Sequence, residues 1–328
     1  MKLISKLFIL FCFIPSLSWA LTFKSEGTVV DSQGNVSQIN NSNNNEIPSQ
    51  FNKDMERISI DSGFIDKDGK IYPENLISNK SNIILLIYTH GSQDDQTIDK
   101  CLSNWAKVPP VIRNFHNQKI KSYIVKIYRL CSGVRGWTKH EQNRMWKAHE
   151  KLGKIDENLK ASDGISLISK QKQNQKLIVI KNSLDEFIEK GFTNIILAGH
   201  SSGGWQSIKL KTLYPNLIDG VIGFNPGAGG DIQNRKNWPW WEDIRYYGFG
   251  DLNNLNALLI THDKDHFNSP NDYSNFSELK FVKKINLSNS DCKPKIFLGS
   301  YHGITLTNCY AENELKENNI KNYLESLF

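Results

Sequence analysis

The sequence lacks the residue patterns that usually mark a metalloprotein or a nucleic-acid binder. It contains no zinc-ligand spacing, no RNA-binding signature and no heptad beside a basic region. Its 40 Lys and Arg outnumber 34 Asp and Glu, a formal charge of +6, but they are spread along the chain rather than gathered into a block. Such a surplus reads as a solvated face that aids solubility, and no nucleic-acid partner is expected. No internal repeat is visible, and no apolar run is long enough to span a bilayer. Cysteine is scarce, with five in 328 residues. What remains is ordinary globular composition, 39% hydrophobic and 23% charged, apolar enough to bury a full core.

The first twenty residues have a distinct character. Met1, Lys2 and Lys6 form a short positive region, Leu7 to Ile14 an apolar run, and Pro15 breaks it. Ser18-Trp19-Ala20 then sets small residues at the two positions a signal peptidase reads. The expectation is a signal peptide over 1–20, cleaved after Ala20, and a protein exported to a periplasm or secreted. Phe11 before Cys12 is too bulky for lipoprotein processing. Cleavage leaves Cys101, Cys131, Cys292 and Cys309, an even count that fits two disulfides and permits three pairings.

Residues 21–55 are rich in Asn, Ser and Gln, with almost no apolar periodicity, and read as a flexible leader. A folded domain is expected over 56–328. It opens with a hairpin signal: Arg57 to Asp61 alternates, Lys67-Asp68-Gly69-Lys70 turns, and Ile71-Tyr72 resumes. Apolar runs follow at Ile83 to Tyr88, Tyr123 to Tyr128, Asn194 to Ala198, Gly220 to Phe224, Ala257 to Thr261 and Lys295 to Leu298. Near-continuous Ile, Leu and Val suit strands buried on both faces of a parallel sheet. Amphipathic stretches lie between them, at Leu177 to Lys190 and Trp205 to Leu213, and Glu312 to Leu327 closes the chain. Alternation of strand and helix predicts a doubly wound α/β sheet. The polar, lysine-rich insertion at 138–175 is either a cap over a site or a solvated helix pair.

The sharpest local signal is Gly199-His200-Ser201-Ser202-Gly203, set between a buried strand and a helix. That is the setting of a nucleophile elbow, where a serine on a strained turn leaves no room for side chains two residues to either side. The helix start behind it offers backbone N–H groups to a developing oxyanion. The bland alternative is a glycine-rich turn used for close packing or phosphate binding. Tyr88-Thr89-His90-Gly91-Ser92 ends an earlier strand, and its glycine allows a sharp turn. The expected oxyanion donors are the Ser202 N–H and an N–H of the Gly91-Ser92 segment, that of Ser92 foremost.

With these motifs the chain resembles the α/β-hydrolase superfamily over most of its length after Glu56. Gly199 to Trp205, followed by Gly220 to Gly227, resembles its dienelactone-hydrolase-like branch. The resemblance implies an α/β-hydrolase fold, a mostly parallel twisted sheet with helices on both faces, and a triad in chain order Ser, Asp, His. It therefore implies Ser201 as nucleophile, His302 after the last strand as base, and an acid on the loop after Ala257 to Thr261. Asp265 matches that position, with Asp263 as the alternative. His262 and His266 beside these aspartates lack further ligands at metal spacing, so neither metal nor organic cofactor is expected. Dienelactone hydrolases proper use cysteine where this chain has Ser201, so their substrate is not carried over. His90-Gly91 is followed by Ser92-Gln93, not by the glycine-rich run of many lipases.

The resemblance also puts Cys101 and Cys131 after neighbouring strands, implying that they pair. Cys292 with Cys309 then follows by elimination, although the strand expected at Lys295 to Leu298 separates them. Trp205, Trp240, Trp241 and Tyr246 are candidate pocket walls. The expected activity is ester hydrolysis on a small or exposed substrate by a monomer. The alternatives are a serine peptidase of the same fold, or a binding protein on an inactive hydrolase scaffold.

Overall fold

The structure is a computed structural model describing residues 28–30, 36–38, 62–91, 107–131, 164–227, 249–268, 278–293 and 301–328, with Tyr273 and Phe276. Residues 28–30, 36–38 and 164–175 are described by backbone alone. Strands β1 (Thr28–Val30) and β2 (Val36–Gln38) pair antiparallel within the stretch expected as a flexible leader. Their β-branched Thr-Val-Val and Val-Ser suit extended backbone, a local signal that the surrounding Asn and Ser mask at the level of composition.

The main sheet begins with β3 (Gly63–Ile65) and β4 (Ile71–Tyr72), an antiparallel pair around the expected turn, whose expected first arm at Arg57 to Asp61 lies outside the described residues. Asp66 closes that turn by accepting the N–H groups of Asp68 and Lys70 at 2.9 Å. Then come β5 (Ile83–Thr89), the short β6 (Lys119–Ile120), β7 (Tyr123–Leu130), β8 (Asn194–His200), β9 (Gly220–Phe224), β10 (Ala257–Thr261) and β11 (Val282–Asn286). Their order across the sheet is β11-β10-β9-β8-β5-β7-β3-β4, with β6 paired to β7. The six strands from β11 to β7 run parallel, and β3 joins β7 antiparallel.

Successive residues of β5 serve opposite cores, as the period of two along a strand dictates. Ile83, Leu85 and Ile87 pack with Leu177, Ile180, Leu184 and Phe187 of helix α2 (Gly164–Glu189) and with Trp205 and Ile208 of helix α3 (Ser202–Leu213). Ile84, Leu86 and Tyr88 pack on the other face. There they meet Val111 of α1 (Pro110–Arg113), Tyr310 of α4 (Asn308–Glu317) and Ile320 and Leu324 of α5 (Asn319–Leu327). Helices thus cover both faces of a mostly parallel sheet, with a strand–turn–helix unit at its centre. The chain has the α/β-hydrolase fold.

Three expectations need correction or restatement. Among the described residues the parallel side of the sheet ends at β11, a strand absent from the expected apolar runs; the strand expected at Lys295 to Leu298 lies outside the described residues. Val-Lys-Lys-Ile-Asn escapes a search for apolar runs because only Val282 and Ile285 are half-buried, while Lys283, Lys284 and Asn286 are exposed. The helix expected from Leu177 starts instead at Gly164, inside the insertion expected over 138–175, whose first part, 138–163, lies outside the described residues. The pair Cys292–Cys309 is bonded, with Cα atoms 5.7 Å apart, while Cys131 is disulfide-bonded and its expected partner Cys101 lies outside the described residues. No described helix is long and apolar enough to cross a membrane.

Cys292 and Cys309 are 17 residues apart in sequence. A cross-link that acts by restricting the unfolded chain contributes about 3 kcal/mol for a loop of that size. Replacing both residues by serine should lower the urea midpoint accordingly, and an unchanged midpoint would show the bridge to be energetically idle.

Candidate active site

The backbone of Ser201 carries the strain expected of a functional turn, with φ 53° and ψ −124°. Three hydrogen bonds hold it there. Its N–H donates to the Phe224 carbonyl, and its own carbonyl accepts from the N–H groups of Trp205 and Gly227, each at 3.0 Å. The flanking glycines are required by space. A Cβ on Gly199 would lie 2.4 Å from the carbonyl carbon of Gly203, and one on Gly203 would lie 2.3 Å from the Thr89 carbonyl oxygen. Only two bare backbones can pass that closely. Gly91, just beyond β5, is also near: a Cβ there would sit 3.0 Å from Ser201 Cβ.

Asp265 follows β10, and His302 lies in the 3-10 helix Tyr301–Leu306. His302 Nδ1 and Asp265 Oδ2 are 2.8 Å apart, with the carboxylate 0% and the imidazole 12% exposed. Asp265 Oδ1 accepts the N–H groups of Phe267 at 2.9 Å and Asn268 at 3.2 Å, so the buried carboxylate is fully engaged. Asp263 turns elsewhere. Its Oδ1 accepts from Asn286 Nδ2 at 2.8 Å and its N–H donates to Ser288 Oγ at 3.0 Å. Of the two aspartates, Asp265 is the one that reaches His302.

The histidine loop is fastened to the elbow through its main chain. The His302 carbonyl accepts from His200 Nε2 and from Asn225 Nδ2, both at 2.7 Å. A carbonyl only accepts, so His200 carries its proton on Nε2. Burial pushes the His200 pKa down to about 3 and keeps that ring neutral. The rings of His200 and His302 stand 4.6 Å apart. Ser201, Asp265 and His302 therefore share the end of the sheet at which β8 and β10 finish.

Ser202 is buried at the first position of α3. Beside its Oγ, at 3.3 Å, lies Lys176 Nζ, which also donates to the His90 carbonyl. Burial holds the Lys176 pKa down at about 7 and the His90 pKa down at about 3.

Of the other candidates, Trp205 needs correction. It is 1% exposed and packs edge-on against Phe249 at 5.4 Å and Phe276 at 6.0 Å, so it fills the core under α3 rather than walling a pocket. Ser92, Trp240, Trp241 and Tyr246 lie outside the described residues. Among the described residues no group of three His, Cys, Asp or Glu stands close enough to hold a metal.

Three residues around the site escape sequence reasoning. His200 is the unspecified second position of the elbow motif, and Asn225 follows β9 in a string read only for its family likeness. Lys176 carries no sequence signal at all, being one lysine in a lysine-rich stretch.

No family model matches the sequence, and no curated protein matches it either. Solved structures of similar fold include a dipeptidyl aminopeptidase IV from Bacteroides ovatus, 13% identical, with a TM-score of 0.46 over 81% of this chain. This chain spans only 35% of that one. A lipase-esterase related protein from Clostridium acetobutylicum is 13% identical, with a TM-score of 0.39 over 78% of this chain and 98% of that chain. A dienelactone hydrolase from Klebsiella pneumoniae is 9% identical, with a TM-score of 0.37 over 77% of this chain and 96% of that chain.

Gly203→Ala must push two backbones apart. It should destabilise the fold by at least about 2 kcal/mol in urea unfolding, as overpacking of a tight core does. A stability equal to the parent would mean that the turn relaxes freely.

Proposed function

We propose that this chain is a serine hydrolase that cleaves carboxylic esters outside the cytoplasm, with Ser201 as nucleophile. The observation that carries the reading is the Asp265–His302 pair at 2.8 Å, held against the residue that precedes a serine on a strained turn. Nucleophile, base and orienting acid are recognised by geometry and role rather than by sequence position.

On this reading, Asp265 Oδ2 fixes the proton of His302 on Nδ1, which leaves Nε2 with a lone pair for the Ser201 hydroxyl. As Ser201 Oγ bonds to the ester carbonyl carbon, His302 takes its proton and Asp265 steadies the imidazolium. The N–H of Ser202 and an N–H of the Gly91-Ser92 segment receive the negative charge on the former carbonyl oxygen. Gly91 suits that task because its backbone stands against Ser201 with no side chain between. Each such donor contributes about 3 kcal/mol to stabilising the transition state. The tetrahedral adduct collapses, His302 returns the proton to the departing alcohol, and the acyl group stays on Ser201. Water, deprotonated by the same imidazole, then releases the acid and restores the serine.

Export rests on the Met1 to Ala20 pattern, and the Cys292–Cys309 bridge fits an oxidising compartment. The folded domain over 56–328 acts as a monomer on this reading.

A fluorophosphonate probe should label the purified protein, and Ser201→Ala should abolish the labelling; labelling that persists would remove the nucleophile assignment. His302→Ala should lower kcat for a short nitrophenyl ester by about 10⁴-fold or more while the melting curve stays near that of the parent. Near-normal turnover would mean another base. Asp265→Asn should also cost about 10⁴-fold by disturbing the tautomer, and Asp263→Asn only a few-fold; the reverse order would exchange the two aspartates. An aminopeptidase substrate turned over faster than the ester would move the enzyme to the peptidases.

A further inference from the structure

Lys176 stands out among the buried titratable groups because the reaction above leaves it unused. Its side chain is 5% exposed, and among the described residues no carboxylate pairs with it. An ammonium without a counter-anion is expensive to bury, so its retention calls for a function. Its two partners are informative. The His90 carbonyl ends the strand that leads into Gly91 and Ser92, and Ser202 opens the helix. These are the two segments assigned the oxyanion N–H groups, so one amine bridges both walls of the same cradle.

We propose that Lys176 is a positioning residue for the reaction: its ammonium ties the His90 carbonyl to the Ser202 hydroxyl, holds the two oxyanion-donor segments in register, and supplies positive charge that the tetrahedral intermediate feels more than the neutral ester does. The inference rests on the reading of Ser201 as nucleophile. A charge that meets its complement only in the transition state raises kcat while leaving ground-state binding alone. A low-dielectric surrounding makes that charge count for more than it would in water.

The environment sets a pH dependence whose sign follows from the groups around the amine. His90 from the end of β5 and His200 from the end of β8 are both neutral above about pH 3, and His302 is the base of the reaction itself. Burial brings the Lys176 amine down to about 7, so its charge is present below that pH and lost above it. Turnover should therefore fall on the alkaline side near neutrality, in addition to the acid limb set by protonation of the base. Stability runs the other way. The unfolded chain keeps this proton up to about pH 10.4, so between the two values unfolding takes up a proton, and the fold gains stability as pH rises.

The test compares wild type, Lys176→Met and Lys176→Arg as full-length proteins. It reads the rate of fluorophosphonate labelling, kcat and KM on a nitrophenyl ester from pH 5 to 9, and the melting temperature. Lys176→Met should melt at or above the wild-type temperature, keep KM within about threefold, lose about 10- to 100-fold in kcat, and show no alkaline limb. Lys176→Arg keeps its charge throughout this range, so it should recover part of kcat and move the alkaline limb beyond pH 9. Lys176→Met with wild-type kcat and an unmoved alkaline limb would overturn the inference while leaving the nucleophile in place. If Lys176→Met fails to fold, a Lys176→Arg limb that still falls near neutrality overturns it equally. Failure of the wild type to label at Ser201 would instead overturn the hydrolase reading beneath it.

Discussion

The structure depends on one close approach of backbone to backbone. The first turn of α3 passes the end of β5 so tightly that Gly203 has no room for a methyl group beside the Thr89 carbonyl. That contact fixes where the helix leaves the sheet and therefore how sharply the chain bends at Ser201. It also brings His90 and Gly91 alongside the bend, so the segment after β5 and the helix start face each other at close range. Full burial of β5 and the nearly full burial of β8 on both faces make the contact rigid, since a packed core resists small shifts.

Around that bend, polar groups are buried with partners that leave them little freedom. The Asp265 carboxylate takes two backbone N–H groups and the His302 ring. The His302 carbonyl takes two side-chain donors, from His200 and Asn225, which belong to the ends of β8 and β9. A ring held at Nδ1 and a main chain held at its carbonyl cannot both drift, which is what the proposed reaction would require, since such chemistry tolerates little misplacement. Lys176 stands apart from this network because, among the described residues, no carboxylate pairs with its buried amine. It costs the fold stability, and such costs gather at functional sites.

The central architecture is legible in the sequence because its physics is local. Strands such as Ile83–Thr89 and Ala257–Thr261 announce themselves as uninterrupted apolar runs, and Gly199 to Gly203 couples its spacing to a steric need that the structure expresses in ångströms. Strand Val282–Asn286, the last of the parallel series among the described residues, is hidden by its two exposed lysines, which interrupt any apolar run. Trp205 illustrates another limit. Whether an aromatic ring at a helix start lines a cavity or fills the core depends on the rotation of that helix, which spacing alone leaves open. The choice between Asp263 and Asp265 likewise turns on the path of one loop. Lys176 is beyond reach because its importance arises from what surrounds it, namely a carbonyl 86 residues away and a hydroxyl 26 residues away.

The covalent link between Cys292 and Cys309 has a consequence for the imidazole, since His302 lies inside the ring that it closes. Cys309 begins a helix whose Tyr310 is buried, and Asn313 of the same helix donates to Cys292 Sγ at 3.3 Å, so both ends of the ring share one anchor. An imidazole on an open segment of that length would be diluted over the volume the segment explores. Closing the ring narrows that volume and, on the proposed reading, raises the effective concentration of the imidazole at the serine.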